Sequence, residues 1–107
     1  LFVRLCDVNP YDVSINICDG FLRTTPETPR SDDDVMAIEL TLHATAHCFK
    51  RGHRLRLQVS SGAHPRYARN TGTGEPIGTT TTLVAADIEI LHDQRHKSEI
   101  VLPTFAV

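Results

Sequence analysis

The sequence predicts an all-β fold of the sandwich or jelly-roll kind, and three observations lead there. Apolar and polar residues alternate with period two in several separate runs, as in strands with one buried face. Clusters of Gly, Pro, Asn and Asp punctuate those runs, and no segment shows a convincing 3.6-residue period. The 107 residues suffice for one hydrophobic core and are too few for two.

Taken in order, Phe2 to Val8 is a short apolar run interrupted by Arg4 and Asp7. Asn9-Pro10-Tyr11-Asp12 suits a type I turn, because Asn favours the first position and the fixed φ of Pro the second. Val13, Ile15 and Ile17 alternate with Ser14 and Asn16, so the opening stretch reads as a β-hairpin. If the four turn residues form the loop, Val8 faces Val13, Cys6 faces Ile15 and Val3 faces Cys18. Cys6 and Cys18 then lie on opposite faces, which excludes a disulfide between them.

Residues 23 to 34 carry two prolines and the run Asp32-Asp33-Asp34 and predict a solvated loop; the acidic run lacks the remaining spacing of a calcium-binding loop. Met36, Ile38, Leu40, Leu42, Ala44 and Ala46 then predict a long one-sided strand. Lys50 to His53 turns the chain, and Leu55, Leu57 and Val59 alternate with Arg54, Arg56 and Gln58 in the cleanest strand pattern of the sequence. Residues 61 to 79, with four glycines and two prolines, form a loop long enough to suggest a function. Val84, Ala86, Ile88 and Ile90 predict a further strand, and a short run from Glu99 to Leu102 ends at Pro103.

Composition narrows the function. The net charge of -2 and pI near 6.3 provide no field for nucleic acid or anionic lipid, so neither is an expected partner. The apolar runs are too short to span a bilayer, and Leu1-Phe2-Val3-Arg4 does not begin a signal peptide. The chain opens without Met inside a β-like run, so one or more preceding strands are expected, and the expected compartment is the cytoplasm. Cys6, Cys18 and Cys48 have no CxxC spacing and read as three reduced thiols.

No G-x-S-x-G is present, and Ser60-Ser61-Gly62 reads as a strand end, so no catalytic residue is assigned. His43 and His47 would share a metal on a helix, but four residues along a strand separate their Cα atoms by roughly 13 Å. His92 and His96 flank a turn without a supporting cluster of ligands, so neither metal nor cofactor is expected. Asp7 and Asp19 are expected to bond turn amides or neighbouring arginines rather than to act as a catalytic pair. Arg51, Arg54, Arg56, Arg66 and Arg69 form the one basic concentration.

Arg4-Leu5-Cys6-Asp7-Val8-Asn9-Pro10 followed by Ser14-Ile15-Asn16-Ile17-Cys18-Asp19-Gly20 resembles a signature of the C-terminal domain of the CocE/NonD (cocaine esterase-like) and X-Pro dipeptidyl-peptidase family of serine hydrolases. Thr45-Ala46-His47, the stretch Gly52 to Ser61, its continuation through His64-Pro65-Arg66-Tyr67-Ala68-Arg69-Asn70 to Pro76, and His92-Asp93 are similar to the same family. Gln94 and Lys97 stand where the family pattern has prolines, which implies a looser turn before the last run. The resemblance implies a jelly-roll, galactose-binding-like domain that follows an α/β-hydrolase domain bearing the Ser-Asp-His triad.

The expectation is therefore a noncatalytic C-terminal domain that stabilises an upstream α/β-hydrolase domain and shapes its cleft. The expected cleft-edge residues are His64, Arg66, Tyr67, Arg69 and Asn70, since Arg and Tyr are enriched where surfaces are buried against each other. A homodimer is a further expectation, because unpaired strand edges favour association. The competing reading is an independent carbohydrate-binding module, against which stand the absence of Trp and only two Tyr and four Phe. A free-standing scaffold would require a complete strand set beginning near Leu1.

Overall fold

The computed structural model describes residues 1–105. Among them the chain forms three strands and no helix: β1 (Phe2–Val8), β2 (Ser14–Phe21) and β3 (Arg54–Ser60). They make one antiparallel sheet in the order β2-β1-β3. The fold is all-β, as the alternation predicts; three strands do not by themselves define a jelly roll. The central position of β1 explains the core, because a strand flanked on both sides loses the most solvent contact. Phe2, Leu5, Cys6 and Val8 are all buried.

The hairpin forms where the sequence places it, with a different register. The Asp12 amide donates to the Asn9 carbonyl, closing the expected turn, and the Asn9 side chain accepts from the amides of Tyr11 and Val13. Asp12, however, adopts a left-handed φ of 63°. A type I turn followed by a left-handed residue is the three-residue hairpin loop with an added bulge, so Asn9 and Val13 close it and Val8 pairs with Ser14 instead of Val13. A second slip between Leu5 and Cys6 leaves Ile17 unpaired, and beyond it Leu5 faces Cys18, Arg4 faces Asp19 and Phe2 faces Phe21. The expected pairs Cys6 with Ile15 and Val3 with Cys18 are thus replaced. Cys6 and Cys18 still sit on opposite faces, and all three cysteines are free.

The strand expected over residues 36–46 does not form. A strand needs a neighbour whose amides and carbonyls it pairs with repeatedly; here the His43 amide donates to the Asp19 carbonyl at 2.9 Å, and no second backbone hydrogen bond from residues 36–46 to the sheet follows among the described residues. Residues 84–90 likewise form no strand; the Val84 amide donates to the Thr71 carbonyl and ties them to the long loop. The short run 99–102 is not a strand either. β3 is an edge strand, paired with β1 alone, and its Leu55, Leu57 and Val59 remain exposed.

Candidate functional site

The side chains that gather on the sheet do so around two buried carboxylates, Asp7 at 3% exposure and Asp19 at 8%. Alternation along β1 and β2 directs them to opposite faces: Asp7 shares a face with Leu5, while Asp19 lies opposite Arg4 in the register.

Asp7 receives two histidine rings. His47 Nε2 lies 2.8 Å from one carboxylate oxygen and His53 Nδ1 lies 2.8 Å from the other. His53 arrives there because β3 begins one residue later with Arg54 opposite Val8, so His53 falls on the face of Leu55, the partner of Asp7. His47 is further placed by an edge-on contact with Phe49, ring centroids 4.9 Å apart. The hydrogen bond from His47, more than that from His53, holds the Asp7 carboxyl below the usual carboxylate range against the opposing effect of burial.

Asp19 gathers three basic side chains. Arg66 donates to Oδ2, Arg4 stands 3.8 Å from the same oxygen, and His43 Nδ1 is 3.2 Å from Oδ1. Beside this hub Tyr67 lies parallel on Phe21, centroids 4.2 Å apart, and tilted against Phe2. Guanidinium groups cap the aromatic rings: Arg4 on Phe2, Arg23 on Phe21 and Arg66 on Tyr67. Phe2, Arg4, Asp19 and Phe21 share one sheet face because the unpaired Ile17 aligns β2 that way, and residues 66 and 67 of the long loop pack on it. A hollow of about 440 Å³ opens beside the hub, lined by Cys18, Asp19, His43, Thr45 and Arg66 among others.

The five residues expected at a cleft edge divide accordingly. Arg66 and Tyr67 turn inward onto the sheet. Asn70 accepts from the Gly72 amide and braces its own loop. His64 and Arg69 are exposed and have no ion pair or hydrogen-bond partner among the described residues. Of the other arginines, Arg54 binds Asp12 across the hairpin end. Asp19 takes up arginines as expected, whereas the two histidines on Asp7 were not legible in the sequence. His43 and His47 end on different carboxylates. His96 bridges Asp33 and Asp93, so Asp33 belongs to a cluster with Ser31, Arg95 and His96 instead of a merely solvated run. Among the described residues no group of three or more His, Cys, Asp or Glu has the geometry to hold a metal ion.

These clusters predict an acid limb to stability. Asp33 is drawn down from 3.8 to about 2, chiefly by hydrogen bonds from Ser31 and His96, and Asp7 shifts in the same direction. A carboxyl depressed in the folded state stabilises above its unfolded pKa, and that contribution is lost as pH falls through the folded value. Stability is therefore expected to fall between 3.8 and about 2. Asp33→Asn and Asp7→Asn should each flatten that limb in urea midpoints measured against pH.

The thiols differ as well. Burial, with the adjacent Asp19 carboxylate, pushes the Cys18 thiol up, Cys6 is buried, and Cys48 is exposed. Iodoacetamide should modify Cys48 first; tryptic mass mapping showing Cys18 first would contradict the geometry.

The described residues thus form a β-sheet domain in which two buried carboxylates, one on each face, hold the flanking segments on the sheet. The chain belongs to the family of X-Pro dipeptidyl-peptidase C-terminal non-catalytic domains, whose model matches residues 1–101. It is 32% identical to the cocaine esterase of Rhodococcus sp. (strain MB1 Bresler) over 108 residues, which cover 94% of this chain and 19% of that protein. The chain thus spans about a fifth of the curated relative that it matches. No solved structure matches it at a significant level.

Proposed function

We infer that this chain is the C-terminal accessory domain of a serine hydrolase whose triad lies on an upstream α/β-hydrolase domain. The parent cleaves an ester or amide through an acyl-enzyme, as the family name and the esterase relative suggest. The observation that carries this reading is the unequal coverage: nearly all of this chain aligns with a fifth of an esterase. A complete jelly roll, with strands preceding Leu1, belongs to the same proposal. In it the domain stabilises the hydrolase core, and the loop 64–70 lies along the cleft.

Two measurements test it on the protein in its full natural length. A fluorophosphonate probe should leave one adduct, on a serine upstream of Leu1. Shortening the loop between Ala63 and Thr71 should lower turnover or the thermal midpoint. A protein that takes no adduct is not a serine hydrolase, and a shortened loop without effect removes the cleft role.

A further inference from the structure

On one face of the sheet an apolar row is approached from both sides and left uncovered between them. Gly20, Val3 and Val59 are register partners across β2, β1 and β3, and they share the face of Leu5 and Asp7. Residues 40–42 lie over Gly20, so close that a Cβ there would meet the Thr41 carbonyl oxygen and a Leu40 methyl. At the other end Val59 and Leu1, with Ala86, Ile88 and Ile90, line a hollow of about 310 Å³. Ala86, Ile88 and Ile90 have the spacing of one strand face, yet residues 84–90 form no strand. Val3, midway in the row, is half-buried, and Leu55, Leu57, Val59, Ile88 and Ile90 are all exposed. Neighbouring strands stand about 4.8 Å apart, which separates Gly20 from Val59 by roughly 10 Å and leaves room for one strand between the two covering segments.

We propose that this gap seats one strand of the segment directly preceding Leu1, which packs alternate apolar side chains on Val3, Leu57 and Val59 and pairs along its edge with residues 84–90. The inference rests on the strands proposed before Leu1 and gives one of them its place, its neighbour and its side-chain pattern. Leu1 itself lines the hollow, so the chain before it starts at the site, and tethering raises its effective concentration there. The Leu1 nitrogen donates to the Leu22 carbonyl at 2.7 Å, a bond that a peptide N–H also makes, and this fixes the point of entry. There is chain enough to supply the strand, since the family is one of C-terminal domains and about four-fifths of the esterase relative lies outside the match. Residues 85–90 have the edge to receive it, because none of their backbone amides or carbonyls is hydrogen-bonded to backbone among the described residues.

The test is hydrogen exchange, read by mass spectrometry, on the protein in its full natural length. Amides of residues 85–90 and of the peptide directly preceding Leu1 should both exchange at least about tenfold more slowly than in an unstructured chain. Leu57→Asp, which puts a charge into the seat, should return both peptides to fast exchange together while the β1–β2 ladder stays protected. Should that variant unfold the whole sheet, Ile88→Ala carries the same comparison with a milder change. Fast exchange at 85–90 in the wild type overturns the proposal. Slow exchange that vanishes on dilution overturns it as well, since a second copy would then fill the gap. So does a variant that releases 85–90 together with a peptide far upstream instead of the one adjoining Leu1, because the hydrolase domain would then be the cover. Fluorophosphonate labelling of the same samples separates the two levels. A labelled protein with fast exchange at 85–90 loses only this inference, whereas an unlabelled protein with slow exchange keeps the strand and loses the hydrolase reading.

Discussion

Replacing Asp19 with Ala is expected to destabilise this domain by about 2–3 kcal/mol, read from its urea midpoint. Removing one partner of a buried ion pair costs more than the pair contributes, because the remaining cations keep their desolvation without compensation. Here the burden falls on Arg4, whose Nε is already buried without a hydrogen-bond partner and whose cation has Asp19 as its counter-charge. Arg66 and His43 are 52% and 63% exposed at their side chains and can rehydrate, which places the loss below that of a fully enclosed cluster. Arg66→Ala, by the same reasoning, should cost under about 1 kcal/mol. Equal losses for Asp19→Ala and Arg66→Ala would mean that the hub is a surface pair.

The second large effect is expected at Gly20. A Cβ built there would stand 2.6 Å from the Thr41 carbonyl oxygen and 3.3 Å from Leu42 Cα, besides meeting a Leu40 methyl. The methyl can rotate away, but the backbone cannot, so β2 and residues 40–42 must separate. Overpacking of this kind costs about 1–3 kcal/mol, and Gly20→Ala should fall at the upper end. A specific mark should accompany it: the His43 amide, bonded to the Asp19 carbonyl, should exchange with solvent faster while amides on the β1–β3 ladder keep their protection. Uniformly faster exchange across the sheet would point to global destabilisation instead.

What was legible in the sequence was local. Leu55, Leu57 and Val59 mark β3 to within a residue, and Asn9-Pro10 marks the turn, because alternation and turn chemistry are properties of neighbours along the chain. The register escaped for an equally local reason: Asp is one of the few residues besides Gly that take the left-handed position, so Asp12 permits the bulge without requiring it. The alternation at 36–46 and 84–90 did not yield strands, because alternation describes one segment by itself while a strand also needs a neighbour to pair with. The histidines on the two carboxylates, and the choice of Arg66 for Asp19, escaped because these side chains lie 24 to 47 residues away from the aspartates they bind. The stack on Tyr67 involves Phe21, three residues beyond the strand end that the alternation suggests.

The unpaired Ile17 makes strand length, more than residue identity, the quantity on which this domain depends. Without the slip between Leu5 and Cys6, the pairing that joins Val8 to Ser14 would continue and bring Val3, not Arg4, opposite Asp19. Asp19 and Phe21 would then turn to the other side of the sheet, away from Arg4, Arg66 and Tyr67. A substitution at Ile17 leaves that geometry intact, while losing the residue inverts everything C-terminal to it in β2. Variation in this stretch should therefore be tolerated in kind and not in number.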